Sequence, residues 1–208
     1  MFFRHWDTIR QTGRRQSSFG DMIPTKEQCL ALWDTYALPQ KKRDHSDLVA
    51  RVAVFLADHF PSAIAVRKDL LLAAALLHDI DKNVPKMEGE RHPDAAVRIL
   101  KKEDMEEVAA VVRRHSLHEI LHTQNAPQSW EEKLLYLADK MVKQEVVGVD
   151  GRFALWRAEP LPQSAMHELD AAYPKVKALE AEVAAQLGIK PTDVTNYVAT
   201  GILRAPQV

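Results

Sequence analysis

A single cysteine, Cys29, stands in 208 residues. It cannot close an internal disulfide, and a chain without one suits a reducing compartment. Net charge is nearly missing too: 28 Lys and Arg against 29 Asp and Glu leave −1. Bulk charge therefore draws the chain neither to nucleic acid nor to a membrane surface. The unbroken apolar run Leu70 to Leu77 falls far short of the ~20 residues of a membrane span. Met1 to Arg10 has no apolar segment resembling a signal peptide, so the cytoplasm is the expected location. Strand signals are lacking as well, with no alternating run and no hairpin dipeptide between apolar segments. Only seven glycines and 46% hydrophobic residues exclude a disordered chain. The length fits one domain with at most a small appendage.

What is present is helical periodicity. Leu70 to Leu77 is apolar around its whole circumference and predicts a central helix that needs neighbours on every side. Residues 1–21, rich in Arg, Ser and Gly, read as a poorly ordered arm, with the folded unit starting near Met22. Thr25 and Gln28 form a capping box that opens a helix through Leu30, Leu32 and Trp33. Pro39 suits the first position of the next helix. There His45, Leu48, Val49, Val52, Phe55, Leu56 and His59 share one stripe, so His45 faces the core. Pro93 marks another start and leaves His92 at the helix mouth. Asp104 with Glu107 opens a helix that places Met105, Val108, Val112 and His115 on one face; His118 and His122 lie near that face if the helix continues. Ser129 and Glu132 form a second capping box, and Leu135, Asp139, Val142 and Val146 make the stripe of the helix it opens. Residues 148–208 stay helical without a chemical constellation; Pro174 should split one segment and Thr192 cap a last short helix. The expectation is an all-α chain: an arm over 1–21, a main domain over 22–147 and a helical extension over 148–208 packed on it.

Six polar residues fall where the apolar pattern points inward: His45, His78, Asp79, His115 and Asp139, with His92 beside them. Each alone could be a hydrogen-bonded core residue, but together they would need many private partners in one small core. A divalent transition metal satisfies them at once, and imidazole with carboxylate suits Fe, Mn, Ni or Zn. The absence of thiolate ligands disfavours a structural zinc site.

His45, then the doublet His78-Asp79, then Asp139, in that order and on helices, resembles the HD-domain superfamily of metal-dependent phosphohydrolases. The strings Ala-Leu-Leu-His-Asp-Ile-Asp-Lys and Leu-Ala-Asp-Lys are similar to those of the family's second and fourth motifs, and the likeness covers about residues 22–146. It implies a helical bundle whose buried central helix carries the doublet. His92 and His115 stand where the family's two-metal branch adds histidines. The resemblance thus implies a first metal on His45, His78, Asp79 and Asp139, and a second on Asp79, His92 and His115. It also implies hydrolysis of a phosphoester or phosphoanhydride of a nucleotide-like small molecule by metal-activated hydroxide, centred on Asp79. Lys82 is the nearest cation for the phosphoryl charge, with Arg91 and Arg114 behind it. Lys41-Lys42-Arg43 reads as a solvated helix start. Asp81 stands where the family often has Gly; it either orients a ligand histidine or pairs with Lys82 at the surface. Lys82 lies where some deoxynucleotide 5′-nucleotidases of the family carry an acid, which counts against that subgroup. Two alternatives share the ligands or the fold: a diiron oxygenase and a non-catalytic metal-binding regulatory module. The expected partner is a small phosphorylated molecule, with neither nucleic acid nor membrane, and a homodimer is compatible with the sequence.

Overall fold

The computed structural model describes residues 23–204, and the arm expected over residues 1–21 lies outside them. Nine α-helices follow in order among the described residues: α1 (Lys26–Thr35), α2 (Gln40–Asp58), α3 (Lys68–Leu77), α4 (Asp94–Lys102), α5 (Glu106–Arg113), α6 (Trp130–Met141), α7 (Gly148–Arg157), α8 (Gln163–Leu187) and α9 (Val194–Arg204). Short 3-10 turns cover Leu117–Leu121 and Pro191–Asp193. The all-α expectation holds, and no strand forms among the described residues. One isolated bridge joins Val142 to Val146. No described helix is long and apolar enough to cross a membrane.

Helix α3 is the hub. Leu70, Leu71 and Ala73 to Leu77 are all buried, and α1, α2, α5 and α6 pack around it. Burying each of its leucines is worth about 2 kcal/mol, which makes this segment the structural centre. Trp33 of α1 donates its indole N–H to the Leu76 carbonyl at 2.8 Å, tying α1 to α3 just before His78. Both capping boxes form: Thr25 with Gln28 opens α1, and Ser129 with Glu132 opens α6.

Several boundaries differ from expectation. Pro39 is the cap of α2 rather than its first residue. Asp104 does not open α5; it sits at φ +60° in the left-handed region, and its N–H closes the end of α4 on the Lys101 carbonyl. Helix α5 stops at Arg113, so His118 belongs to a separate turn and His122 follows it. Helix α6 stops at Met141, because Val142 turns to an extended conformation and pairs with Val146 instead of continuing the stripe. Pro174 does not split α8. An interior proline costs roughly 3 kcal/mol, but Leu169 and Ala172 before it and Val176, Leu179 and Val183 after it are buried, and that continuous face keeps the helix whole. Thr192 lies inside the 3-10 turn that precedes α9 and does not cap it.

The last three helices pack directly on the others: α7 on α6, α8 on α6 and the Leu117–Leu121 turn, and α9 on α2. Helix α7 starts at Gly148, at φ +73°, where a side-chain Cβ would come within 2.1 Å of Thr195 Oγ1. Only glycine permits that turn so close to α9.

Candidate metal centre

Five elements deliver the six inward residues to one place. Helix α2 carries His45. His78 and Asp79 follow α3, in a chain of turns linked by the Ile80, Lys82 and Val84 amides. His92 precedes α4, His115 follows α5, and α6 carries Asp139. Two groups of potential ligands have donor atoms within 4.8 Å of one another: His45, His78 and Asp79, and then Asp79, His92 and His115. Asp79 belongs to both. Asp139 joins the first through Oδ1, 3.0 Å from His45 Nε2 and 3.6 Å from His78 Nε2.

All four imidazoles present the same edge inward. Nδ1 of His45 lies 3.2 Å from the Lys143 carbonyl, that of His78 2.7 Å from the Ala75 carbonyl, and that of His115 2.6 Å from the Val112 carbonyl. Nδ1 of His92 lies 3.1 Å from Asp81 Oδ2. With the ring proton on Nδ1 facing these acceptors, each Nε2 would present a lone pair. Those lone pairs converge on the two aspartates. His78 Nε2 is buried with no hydrogen-bond partner among the described residues, and the Nε2 atoms of His92 and His115 face each other at 2.9 Å. A proton on either Nε2 would make that contact an N–H···N hydrogen bond; with both protons on Nδ1 the two lone pairs lie side by side as ligands of one cation do, and the donor set fits a divalent transition metal.

Charge around the site matches that fit. Burial alone would raise the Asp79 carboxyl, but His78, Lys82 and Lys42 outweigh it and hold it far below the usual range. Burial opposes Asp139 in the same way, and Lys140, His45 and His78 hold it well below its usual value. Both carboxylates are therefore charged at neutral pH. Burial, with His92 and His78 nearby, keeps the His115 imidazole neutral. His78 is the exception: its burial is outweighed by Asp79 and Asp139, which raise it.

The cleft over these residues measures about 470 Å³. Lys82 lines it with Nζ 3.0 Å from Asp79 Oδ1. Arg91 lines the mouth, 71% exposed and 3.9 Å from Glu168. Arg114 is not brought to the cleft: its guanidinium donates to the Gln124 and Ala126 carbonyls and lies 3.0 Å from Glu132, which turns it away. His118 lines the cleft and pairs with Glu119, whereas His122 is exposed outside it. Of the two readings of Asp81, the orienting one matches its place, since it is buried against His92.

Several cations escaped the sequence reading, Lys86 at the cleft among them. Lys42, read as solvated, reaches Asp79 Oδ2 at 3.0 Å; its position three residues before His45 on α2 puts both on one face, a signal that was legible. Lys140 is buried, 2.7 Å from Asp139 Oδ2, and also donates to the His115 carbonyl. Arg152 of α7 lines the cleft as well, and no local pattern marks it. The HD domain family model matches residues 43–143, a span that contains all six candidate ligands. No curated protein and no solved structure matches the chain.

Proposed function

The chain carries an HD domain over residues 43–143, and on that premise we propose that it is a metal-dependent phosphohydrolase. Its substrate is a phosphoester or phosphoanhydride of a nucleotide-like small molecule. The observation that carries this reading is the shared orientation of the four imidazoles, each with Nδ1 facing an acceptor away from the centre and Nε2 turned to Asp79 or Asp139. His45, His78, Asp79 and Asp139 would hold one divalent cation, and Asp79, His92 and His115 a second. When bound, such cations supply Lewis acidity and a nucleophile at neutral pH by acidifying water.

The remaining work falls to the chain's own groups. Asp81 keeps the His92 proton on Nδ1, so that Nε2 stays a donor atom. Lys140 braces both the Asp139 carboxylate and the backbone at His115, coupling the two halves of the site. Lys42 and Lys82 stand on either oxygen of Asp79, where their ammonium groups can meet charge building on a phosphoryl oxygen. The test is elemental analysis of the purified protein together with phosphate release from a panel of phosphoesters and phosphoanhydrides. The parent should contain a transition metal and release phosphate; Asp79→Ala should lose both. Full metal occupancy in Asp79→Ala would refute the ligand assignment, and oxygen consumption without phosphate release would favour the oxygenase alternative.

A further inference from the structure

Arg152 sits outside the matched domain, yet its side chain belongs to the cleft. The local sequence explains how it gets there. Val149 and Phe153, four residues apart, are fully buried and seat one face of α7 against the core. Arg152 and Trp156, also four residues apart, occupy the adjoining face and line the cleft together. The guanidinium lies over the Trp156 ring at 4.1 Å, which fixes its plane. Nε and Nη1 are buried and have no hydrogen-bond partner among the described residues.

A buried guanidinium with two unused donors is costly unless an anion meets it. Neighbouring carboxylates do not fill that role. Asp139, Glu159 and Asp79 influence its charge, but Asp139 is engaged by His45 and Lys140, Glu159 lies 3.8 Å from Lys143, and Asp79 is engaged by Lys42 and Lys82. The guanidinium offers charged N–H donors in one fixed plane, suited to the oxygens of a phosphoryl group. A lysine, with a single rotating ammonium, could not replace that geometry.

We propose that Arg152 binds the phosphoryl group of the substrate through its guanidinium, so that the C-terminal extension completes the substrate site of the HD domain. The inference rests on the phosphohydrolase reading for its substrate class. Its test is inorganic phosphate binding, measured by titration calorimetry on the Mn²⁺-loaded protein, with metal content followed in parallel. Arg152→Gln should weaken phosphate binding by about ten- to a hundredfold, the usual weight of charged hydrogen bonds, and should leave metal content unchanged. Arg152→Lys should recover only part of the affinity. Parental phosphate affinity in Arg152→Gln overturns the proposal, as does loss of metal from that variant, which would make the residue structural. If Arg152→Gln does not fold, Arg152→Lys decides, and parental affinity there overturns the proposal. A parent that holds metal but no phosphate also overturns it. Phosphate binding that depends on Arg152, in a protein that hydrolyses nothing on the panel, would leave this site standing and remove the hydrolase reading instead.

Discussion

Asp81 offers the sharpest separation of the two proposed cation positions. Its Oδ2 lies 3.1 Å from His92 Nδ1 and its side chain is 1% exposed. Burial would raise its carboxyl, but the hydrogen bond to His92 and the nearby Lys82 hold it below the ordinary value, so it acts on His92 as an anion. Removing the partner of a ligating histidine typically costs ten- to a hundredfold in metal affinity, or about 1.4–2.7 kcal/mol. Asp81→Asn keeps an acceptor oxygen without the charge and should fall near the lower figure. Asp81→Leu leaves the Nδ1 proton without an acceptor and should approach the upper one. Asp81 hydrogen-bonds His92 and not His45, His78 or Asp139, so the affinity of the first position should stay close to parental. Competition against a graded chelator, with metal counted per chain, measures both affinities. Asp81→Leu should then hold one metal as tightly as the parent and release the other early. Its thermal stability should change little, because Asp81 Oδ1 is already buried without a partner among the described residues. Parental affinity at both positions, or equal weakening of both, would refute the orienting role of Asp81.

Other outcomes follow from the same charges. Asp79 and Asp139 raise the His78 pKa above 6.5, so metal binding must displace a proton; affinity should fall as pH drops through that raised value, and calorimetry in buffers of differing ionisation enthalpy should detect proton release. Cys29 is fully buried and its thiol is pushed up to about 12; a disulfide reagent should label it only after denaturation, and rapid native labelling would show that the α1–α3 contact opens readily. Lys82→Gln removes an ammonium beside a proposed cation site. Doubling for a dication the roughly 1 kcal/mol of unit charges ~4 Å apart in water gives about 2 kcal/mol, so the variant should bind metal more tightly, by about thirtyfold, yet release phosphate more slowly. Weaker metal binding in Lys82→Gln would show that Lys82 braces Asp79 rather than competing for it.

Sequence periodicity brought out the candidate ligands on the helices because each sits at a polar break in an apolar face. His45 interrupts the α2 stripe, His78 and Asp79 follow a run of buried leucines and alanines, and Asp139 interrupts α6. Such breaks need only helical spacing to be seen. Lys42 had the same spacing but was read through its basic neighbours Lys41 and Arg43, which face elsewhere: Lys41 is exposed, and Arg43 engages Asp34 and the Leu38 carbonyl. Arg114 shows the reverse error, a residue adjacent to a ligand whose side chain leaves the site. Position along the chain cannot separate these cases, because the direction of a long side chain is decided by the carbonyls and carboxylates it finds after packing. Arg152 was beyond reach altogether. Its arrival depends on how α7 lies against α6 and α9, which turns on a left-handed glycine and a threonine 47 residues later in the chain.

The charges inside the cleft also constrain what it can hold. On the two-cation reading, the ligands contribute two carboxylates and four neutral imidazoles, so two divalent ions leave the centre at +2. Lys140 does not add freely to this, since it is buried against Asp139 and burial pulls its pKa down. Lys42, Lys82 and Arg152 do add, and they border the same cleft. A neutral or singly charged substrate would leave most of that positive charge uncompensated in a partly desolvated space. A phosphomonoester dianion offsets part of it, and the linked phosphates of an anhydride offset more. Cations are moreover placed on both sides of Asp79, with Lys42 at one oxygen and Lys82 at the other, so charge on the entering and departing oxygens of one phosphoryl group can be met from opposite directions. That disposition favours a substrate with at least two negative charges close together, and among phosphorylated small molecules it favours anhydrides over diesters.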